Sequence, residues 1–218
     1  MRTLSREQAR RVYDRIGSWQ DTQAFYEDRA VGELLRLAQF ERARRVFELG
    51  CGTGRFAETI LRDFLPAGAS YRGMDVSPTM VGLTSQRLLP FSARVEVMLS
   101  DGGAPAREAG EPPDRFVANY VLDLLSDSDI RGVLDAAHQM LEPRGLLCLT
   151  SLSFAPRWSS RFILACWSLL RSIHPAVVGG CRPLSLLDHV SLRHWQIEQE
   201  VRVIQFGVPS QVVIASRI

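Results

Sequence analysis

Residues 46–56 read VFELGCGTGRF, an apolar run that ends in an acid and is followed by glycine at positions 50, 52 and 54. An apolar run, alternate glycines and then a helical stretch describe a strand–loop–helix unit. The glycines let the backbone approach a ligand closely. A dinucleotide site uses such a loop to hold a pyrophosphate against the helix N-terminus. An anionic side chain pointing there opposes that use. Here Glu48 stands two residues before Gly50, and Arg55 occupies the place where a dinucleotide fingerprint has its third glycine. The acid fits a ligand that carries positive charge near the loop. The chain also has no lysine, so its 26 basic residues are all arginine, and neither a P-loop lysine nor a lysine Schiff base can exist.

Helical and strand signals alternate through the next hundred residues. Residues 5–16 and about 23–39 read as helices. Val46–Leu49 is a short buried strand, followed by a helix over 55–65 that Pro66 and Gly68 stop. Tyr71–Asp75 is a second strand. Ser77-Pro78 is a helix start, an N-cap followed by proline at the first helical position. Val95–Leu99 is a third strand, 102–114 a glycine- and proline-rich loop, and Arg115–Tyr120 a fourth strand. A helix over about 128–142 carries Ile130, Val133, Leu134, Ala137 and Leu141 at helical spacing. Leu146–Leu152 is apolar and reads as a central strand. After a helix over about 156–173, strands at about 197–206 and 210–217 are joined only by Gly207 to Pro209, which makes them antiparallel neighbours. The fold class is therefore α/β, a doubly wound, Rossmann-like sheet with five parallel strands first and a C-terminal antiparallel hairpin.

S-adenosylmethionine is a ligand of the required kind, with an ammonium group, a sulfonium and no phosphate. At these residues the chain resembles the class I S-adenosylmethionine-dependent methyltransferases, over roughly residues 40–155. ELGCGTG at 48–54 is similar to the family's first motif, and YRGMDVSPTM carries the next, with Asp75 at the end of the second strand. The resemblance implies a seven-stranded sheet of order 3-2-1-4-5-7-6, with S-adenosylmethionine as cofactor. It implies that Glu48, Gly50, Cys51, Gly52 and Gly54 form the cofactor loop, and that Asp75 takes both ribose hydroxyls. Val76 and Met80 would lie near the adenine. Asp101 and Gly102, in the SDGG after the third strand, would face the adenine amino group, although an Asp before two glycines is also a common turn. Asn119 and Tyr120, in ANYVLDLL, would border cofactor and acceptor, or simply close a strand.

The acceptor must be read from the parts outside this core. The sequence divides into an N-terminal helical lid (1–40), the cofactor core (41–155), an insert or lid helix (156–196) and the terminal hairpin (197–218), all in one domain. VYDRIGSWQDTQAFYE looks like the lid segment of small-molecule and quinone-biosynthesis methyltransferases. Tyr13, Trp19 and Tyr26 are thus candidates for substrate contact; the alternative is that they anchor the helix to the sheet. Arg182 is a candidate anchor for an acidic group or a surface charge. The sulfonium is already activated, so a base is needed only if the nucleophile arrives protonated. The candidates are Tyr13, Asp123 and His174. Asp123 is also placed to cap a helix, and His138, His189 and His194 read as packing or surface residues.

Net charge is +2 and the pI about 8.5, too mild for a nucleic-acid partner. The four cysteines form no CxxC or zinc pattern and no clustered metal ligands appear, so no metal is expected. The N-terminal stretch lacks the apolar core of a signal peptide, and the longest apolar run, FILACWSLL, is far below the ~20 residues of a spanning helix. A soluble cytoplasmic protein is expected, with peripheral membrane contact and oligomeric state left open. The expected function is methyl transfer from S-adenosylmethionine to a small apolar or amphipathic acceptor: a quinol, a lipid head group, a thiol or a natural-product intermediate. The alternatives are a nicotinamide-dependent oxidoreductase and a cofactor-binding, non-catalytic relative.

Overall fold

The computed structural model describes residues 24–106, 110–154 and 182–218, with side chains from residue 27 onward. The expected helices over 5–16 and 156–173 lie outside the described residues, as do Tyr13, Trp19, His174 and the side chain of Tyr26.

Chain order is α1 (Ala24–Leu37), β1 (Arg45–Leu49), α2 (Arg55–Asp63), β2 (Ser70–Asp75), α3 (Pro78–Arg87), β3 (Val95–Leu99), β4 (Arg115–Asn119), α4 (Asp127–Met140), β5 (Leu146–Leu152), α5 (Leu186–His189), β6 (Trp195–Gln205) and β7 (Val208–Arg217). The strands form one seven-stranded sheet in the order β3-β2-β1-β4-β5-β7-β6, as the resemblance implies. The first five are parallel, and β7 runs antiparallel to both β5 and β6. The order reverses between β1 and β4, which places the switch-point crevice at the carboxyl ends of those two strands.

Each face of the sheet is covered by helices, and the alternation along each strand assigns its residues. Val46, Tyr71, Val117, Cys148 and Ile214 face one way, into a core with Leu34 of α1 and Ile60 and Leu61 of α2. Phe47, Phe116, Leu147, Leu149 and Val213 face the other, against Ile130, Val133, Leu134 and Ala137 of α4 and Leu186 of α5. The helical spacing read in α4 is thus a core-facing stripe.

Three local devices fix this frame. Arg115, buried at the start of β4, donates from Nε to the Ala38 carbonyl at 2.7 Å and from Nη2 to the Gln39 carbonyl at 3.0 Å. It thereby caps the C-terminus of α1 with a cation, as the helix dipole favours. Ser126 caps α4 by accepting from the Asp129 amide. The terminal hairpin is tighter than its sequence implies: Gln205 pairs with Val208, leaving Phe206 and Gly207 as a two-residue turn with φ of 49° and 80°. Pro209 therefore lies inside β7 rather than in the turn. Its carbonyl accepts from Ser153, just past the end of β5, so the missing N–H faces a side where the ladder has already ended.

Ser77 is fully buried and its Oγ accepts from the Met80 amide at the start of α3. Ser77→Ala is expected to lower stability by about 1 kcal/mol, read from urea denaturation. An unchanged midpoint would mean that Pro78 and packing hold the helix start without the cap.

Candidate functional site

The glycine loop joins β1 to α2 and is closed upon itself and upon β2. The amides of Gly50 and Cys51 both donate to the Met74 carbonyl, at 2.7 and 3.2 Å, and that of Gly54 donates to the Cys51 carbonyl at 2.9 Å. The Gly52 amide donates to Asp75 Oδ2 at 2.9 Å. The other oxygen of Asp75, Oδ1, accepts from the Ser77 amide at 2.9 Å. Asp75 thus links the loops after β1 and β2, with only its rim exposed (9 %). Gly50 has φ 71°, and a Cβ there would lie 2.2 Å from Val121 Cγ2, so no other residue fits. That contact also brings the turn after β4 directly against the loop. From α3, Thr84 donates to the Gly52 carbonyl at 2.6 Å, and its methyl would meet a Cβ on Gly54 at 2.9 Å.

Glu48 is 2 % exposed and accepts from the Tyr71 hydroxyl at 2.6 Å. Tyr71 and Gly73 share a face of β2, and Gly73 is the register partner of Glu48. A Cβ on Gly73 would lie 2.7 Å from the Tyr71 hydroxyl, so glycine is what lets the ring lean across to the acid. Burial pushes the Glu48 carboxyl up to about 8, against the lowering influence of Tyr71 and the nearby Asn119 amide. In the ligand-free fold, burial thus opposes the negative charge read from the sequence at Glu48. Sequence reasoning missed Tyr71 and Gly73 as parts of the site, although a Tyr-x-Gly on one strand face beside a buried acid was a usable signal.

The carboxyl ends of β4 and β5 contribute a second polar group. Asn119 and Thr150 are register partners, and neither the Asn119 amide atoms nor Thr150 Oγ1 has a hydrogen-bond partner among the described residues. Tyr120 turns the chain with φ 52°; its amide donates to the Thr150 carbonyl at 2.8 Å and its hydroxyl donates to Ser210 Oγ at 2.8 Å. Its ring anchors β4 to β7. Asp123 is fully buried. Its Oδ2 accepts from the Leu152 amide at 3.3 Å and its Oδ1 has no partner among the described residues. Burial raises its pKa to about 7. Asp123 lies within a one-turn 3-10 helix, Leu122–Leu124, and its carboxylate takes the Leu152 amide. Arg182 lies next to it in the chain trace, its amide donating to the Asp123 carbonyl, but its guanidinium is engaged by the Leu125 carbonyl and by Asp127 Oδ1, at 3.0 and 2.6 Å.

Met80 is fully buried, and Val76 is partly exposed beside Asp75. Asp101 is exposed and accepts from the Gly103 amide at 2.8 Å, the turn its sequence also allows; Gly102 has φ 87°. His138 stacks on His194 and Trp195, and His189 is partly buried beside Asp127 rather than on the open surface. A separate cavity of about 370 Å³ lies at the amino ends of the strands, lined by Arg45, Ser70, Arg94 and Glu111 among others. Arg45 and Arg94 are bound there to carbonyls of Pro112, Pro66 and Leu61, and Arg72 is paired with Glu96.

In the unfolded chain Glu48 ionises near its ordinary value of 4.5, and in the fold it keeps its proton to about 8. The resulting stabilisation is complete below the lower value and is lost as pH rises through the higher one. Glu48→Gln removes that loss. Its melting midpoint relative to the unsubstituted protein is expected to rise between about pH 5 and about pH 8.5. A difference that stays constant across this range would show that Glu48 is already ionised in the fold at the acid end.

Residues 47–147 match a family model described as a methyltransferase domain. Among curated proteins, the chain is 27% identical over 111 residues to carboxy-S-adenosyl-L-methionine synthase of Chromohalobacter salexigens, covering 51% of this chain and 41% of that protein. It is 29% identical over 121 residues to trans-aconitate 2-methyltransferase of Delftia acidovorans, covering 56% and 42%. The matched stretch spans less than half the length of these relatives. Among solved structures, N-methyltransferase NodS from Bradyrhizobium japonicum WM9 with S-adenosyl-L-homocysteine superposes with a TM-score of 0.72 at 18% identity, covering 96% of this chain and 98% of that one. The [4+2]-cyclase SpnF superposes at 0.71 with 16% identity, covering 99% and 97%. The strand order with its reversed last pair is the fold of these solved structures, and residues 47–147, which hold the Asp75-tied glycine loop, are similar to a methyltransferase domain.

Proposed function

We propose that the chain transfers a methyl group from S-adenosylmethionine to a small acceptor. The observation that carries this reading is where the loop amides go. Those of Gly50, Cys51, Gly52 and Gly54 are bonded to Met74, Asp75 and Cys51. A diphosphate needs such amides pointing at it, so the nicotinamide alternative loses its anion cradle. A nucleoside without phosphate needs instead an oriented acceptor for its ribose hydroxyls. The Asp75 carboxylate, oriented at both oxygens by amides, is such a group.

Bound S-adenosylmethionine supplies a methyl group on an electron-poor sulfur, so the protein's work is placement. Asp75 accepts from the ribose, and the partly exposed Val76 flanks the base, with the fully buried Met80 behind it. Gly50, Gly52 and Gly54 permit close backbone approach. Glu48 gives up its proton to face the ligand's cationic end, because a nearby cation offsets the burial that holds the proton on. Alignment of an acceptor lone pair at about 3–3.5 Å then supplies most of the rate. The match of the fold to a cyclase as well as to methyltransferases means that binding alone does not decide the activity.

Calorimetry is expected to detect binding of both S-adenosylmethionine and S-adenosylhomocysteine. Asp75→Ala is expected to weaken it about 100-fold, the loss of two charge-assisted hydrogen bonds. Incubation with pools of phenols, amines and thiols should release S-adenosylhomocysteine from at least one pool. Heat with neither ligand, or affinity untouched by Asp75→Ala, would overturn the reading.

A further inference from the structure

Three side chains at one end of the sheet keep buried polar atoms without a hydrogen bond of normal geometry among the described residues: the amide of Asn119, which lies near the Glu48 carboxyl, Asp123 Oδ1 and Thr150 Oγ1. Asp123 and Thr150 are fully buried. Buried polar groups left unpaired are rare and costly, so three at one place call for something that pairs them. Their placement converges. Asn119 and Thr150 stand opposite each other on adjacent parallel strands, and their side chains share the face that carries Glu48. Asp123 reaches the same end of β5 through its bond to the Leu152 amide, two residues after Thr150. Val121, in the same turn as Asp123, touches Gly50 of the cofactor loop.

We propose that Asn119, Asp123 and Thr150 form the polar end of the acceptor site and take a phenol- or enol-type hydroxyl. This rests on the methyl-transfer reading and names its substrate class. A hydroxyl donates one hydrogen bond and accepts two. It can donate to Asp123 Oδ1 and accept from the Asn119 amide nitrogen or the Thr150 hydroxyl, which leaves one lone pair to take the methyl while the hydroxyl proton passes to Asp123 and S-adenosylhomocysteine departs. An ammonium would be opposed by the Asn119 N–H groups, and it has no lone pair with which to take a methyl. A thiol pairs too weakly to satisfy three partners. A carboxylate or phosphate would meet Asp123 with Glu27 close by, while the Arg182 guanidinium, whose charge Asp123 feels, is held by Asp127 and the Leu125 carbonyl. The partly exposed Val121 supplies an apolar flank for a ring.

The test is saturation-transfer NMR on protein loaded with S-adenosylhomocysteine, with phenol, aniline, thiophenol, benzoate and benzene compared at equal concentration. Phenol is expected to bind best. Thr150→Val, which swaps an unpaired hydroxyl for a methyl, is expected to weaken phenol about fivefold. It should leave S-adenosylhomocysteine affinity within twofold and should not lower the melting midpoint. Asp123→Asn gives a second reading should the first variant fold poorly, again with phenol preference lost and cofactor affinity kept. Phenol no better than benzene, or a phenol preference that survives both substitutions, would mean the group holds water only and would overturn the proposal. Failure of the unsubstituted protein to bind S-adenosylhomocysteine is a separate result: it defeats the methyl-transfer reading and this proposal with it.

Discussion

A single carboxylate organises the site. Asp75 ends β2, and its two oxygens accept amides from two different loops, Gly52 after β1 and Ser77 at the start of α3. Each bond is charge-assisted and worth on the order of 1.5–3 kcal/mol. Without it the Gly52 amide would be buried unpaired, and the loop would have no reason to curl toward β2. The same contact turns the loop inward: Gly52 donates to Asp75, and Gly50 and Cys51 donate to Met74.

The second acid behaves differently for reasons that lie in its neighbours. Asp75 is surrounded by amide donors, whereas Glu48 has one short bond, from Tyr71, and is otherwise enclosed. Burial without enough donors keeps the proton on. Burial therefore opposes ionisation of Glu48 far more than that of Asp75. Gly73 is the enabling residue: a side chain there would displace the Tyr71 ring and remove that bond.

The strands, their order and the loop were legible because each rests on local pattern: an apolar run, alternate glycines, an N-cap followed by proline. Asp75 was legible for the same reason, as an acid at the end of a strand at family spacing. What could not be read were relations across strands. Tyr71 looks like an ordinary strand aromatic until register sets it beside Glu48, and Thr150 looks like core until its hydroxyl is found without a partner. Arg182 failed for the opposite reason, since only the fold brings Asp127 and the Leu125 carbonyl to it. The position of Pro209 within β7 was hidden because its missing N–H matters only where the neighbouring strand still runs.

The end of β4 shows how such costs are carried. Tyr120 sits at φ 52°, a conformation that a bulky residue rarely adopts and that costs of order 1–3 kcal/mol. It persists because it is held from two sides, by its amide on the Thr150 carbonyl and by its hydroxyl on Ser210 of β7. The turn that follows is therefore fixed in direction: Val121 is delivered onto Gly50 and Asp123 onto the Leu152 amide. Antiparallel pairing of β7 with β5 supplies Ser210 at the right height, so the reversed edge strands do more than finish the sheet. They hold the strained residue that aims the turn after β4 at the cofactor loop, and that aim is what brings the unpaired atoms of Asn119, Asp123 and Thr150 to one place.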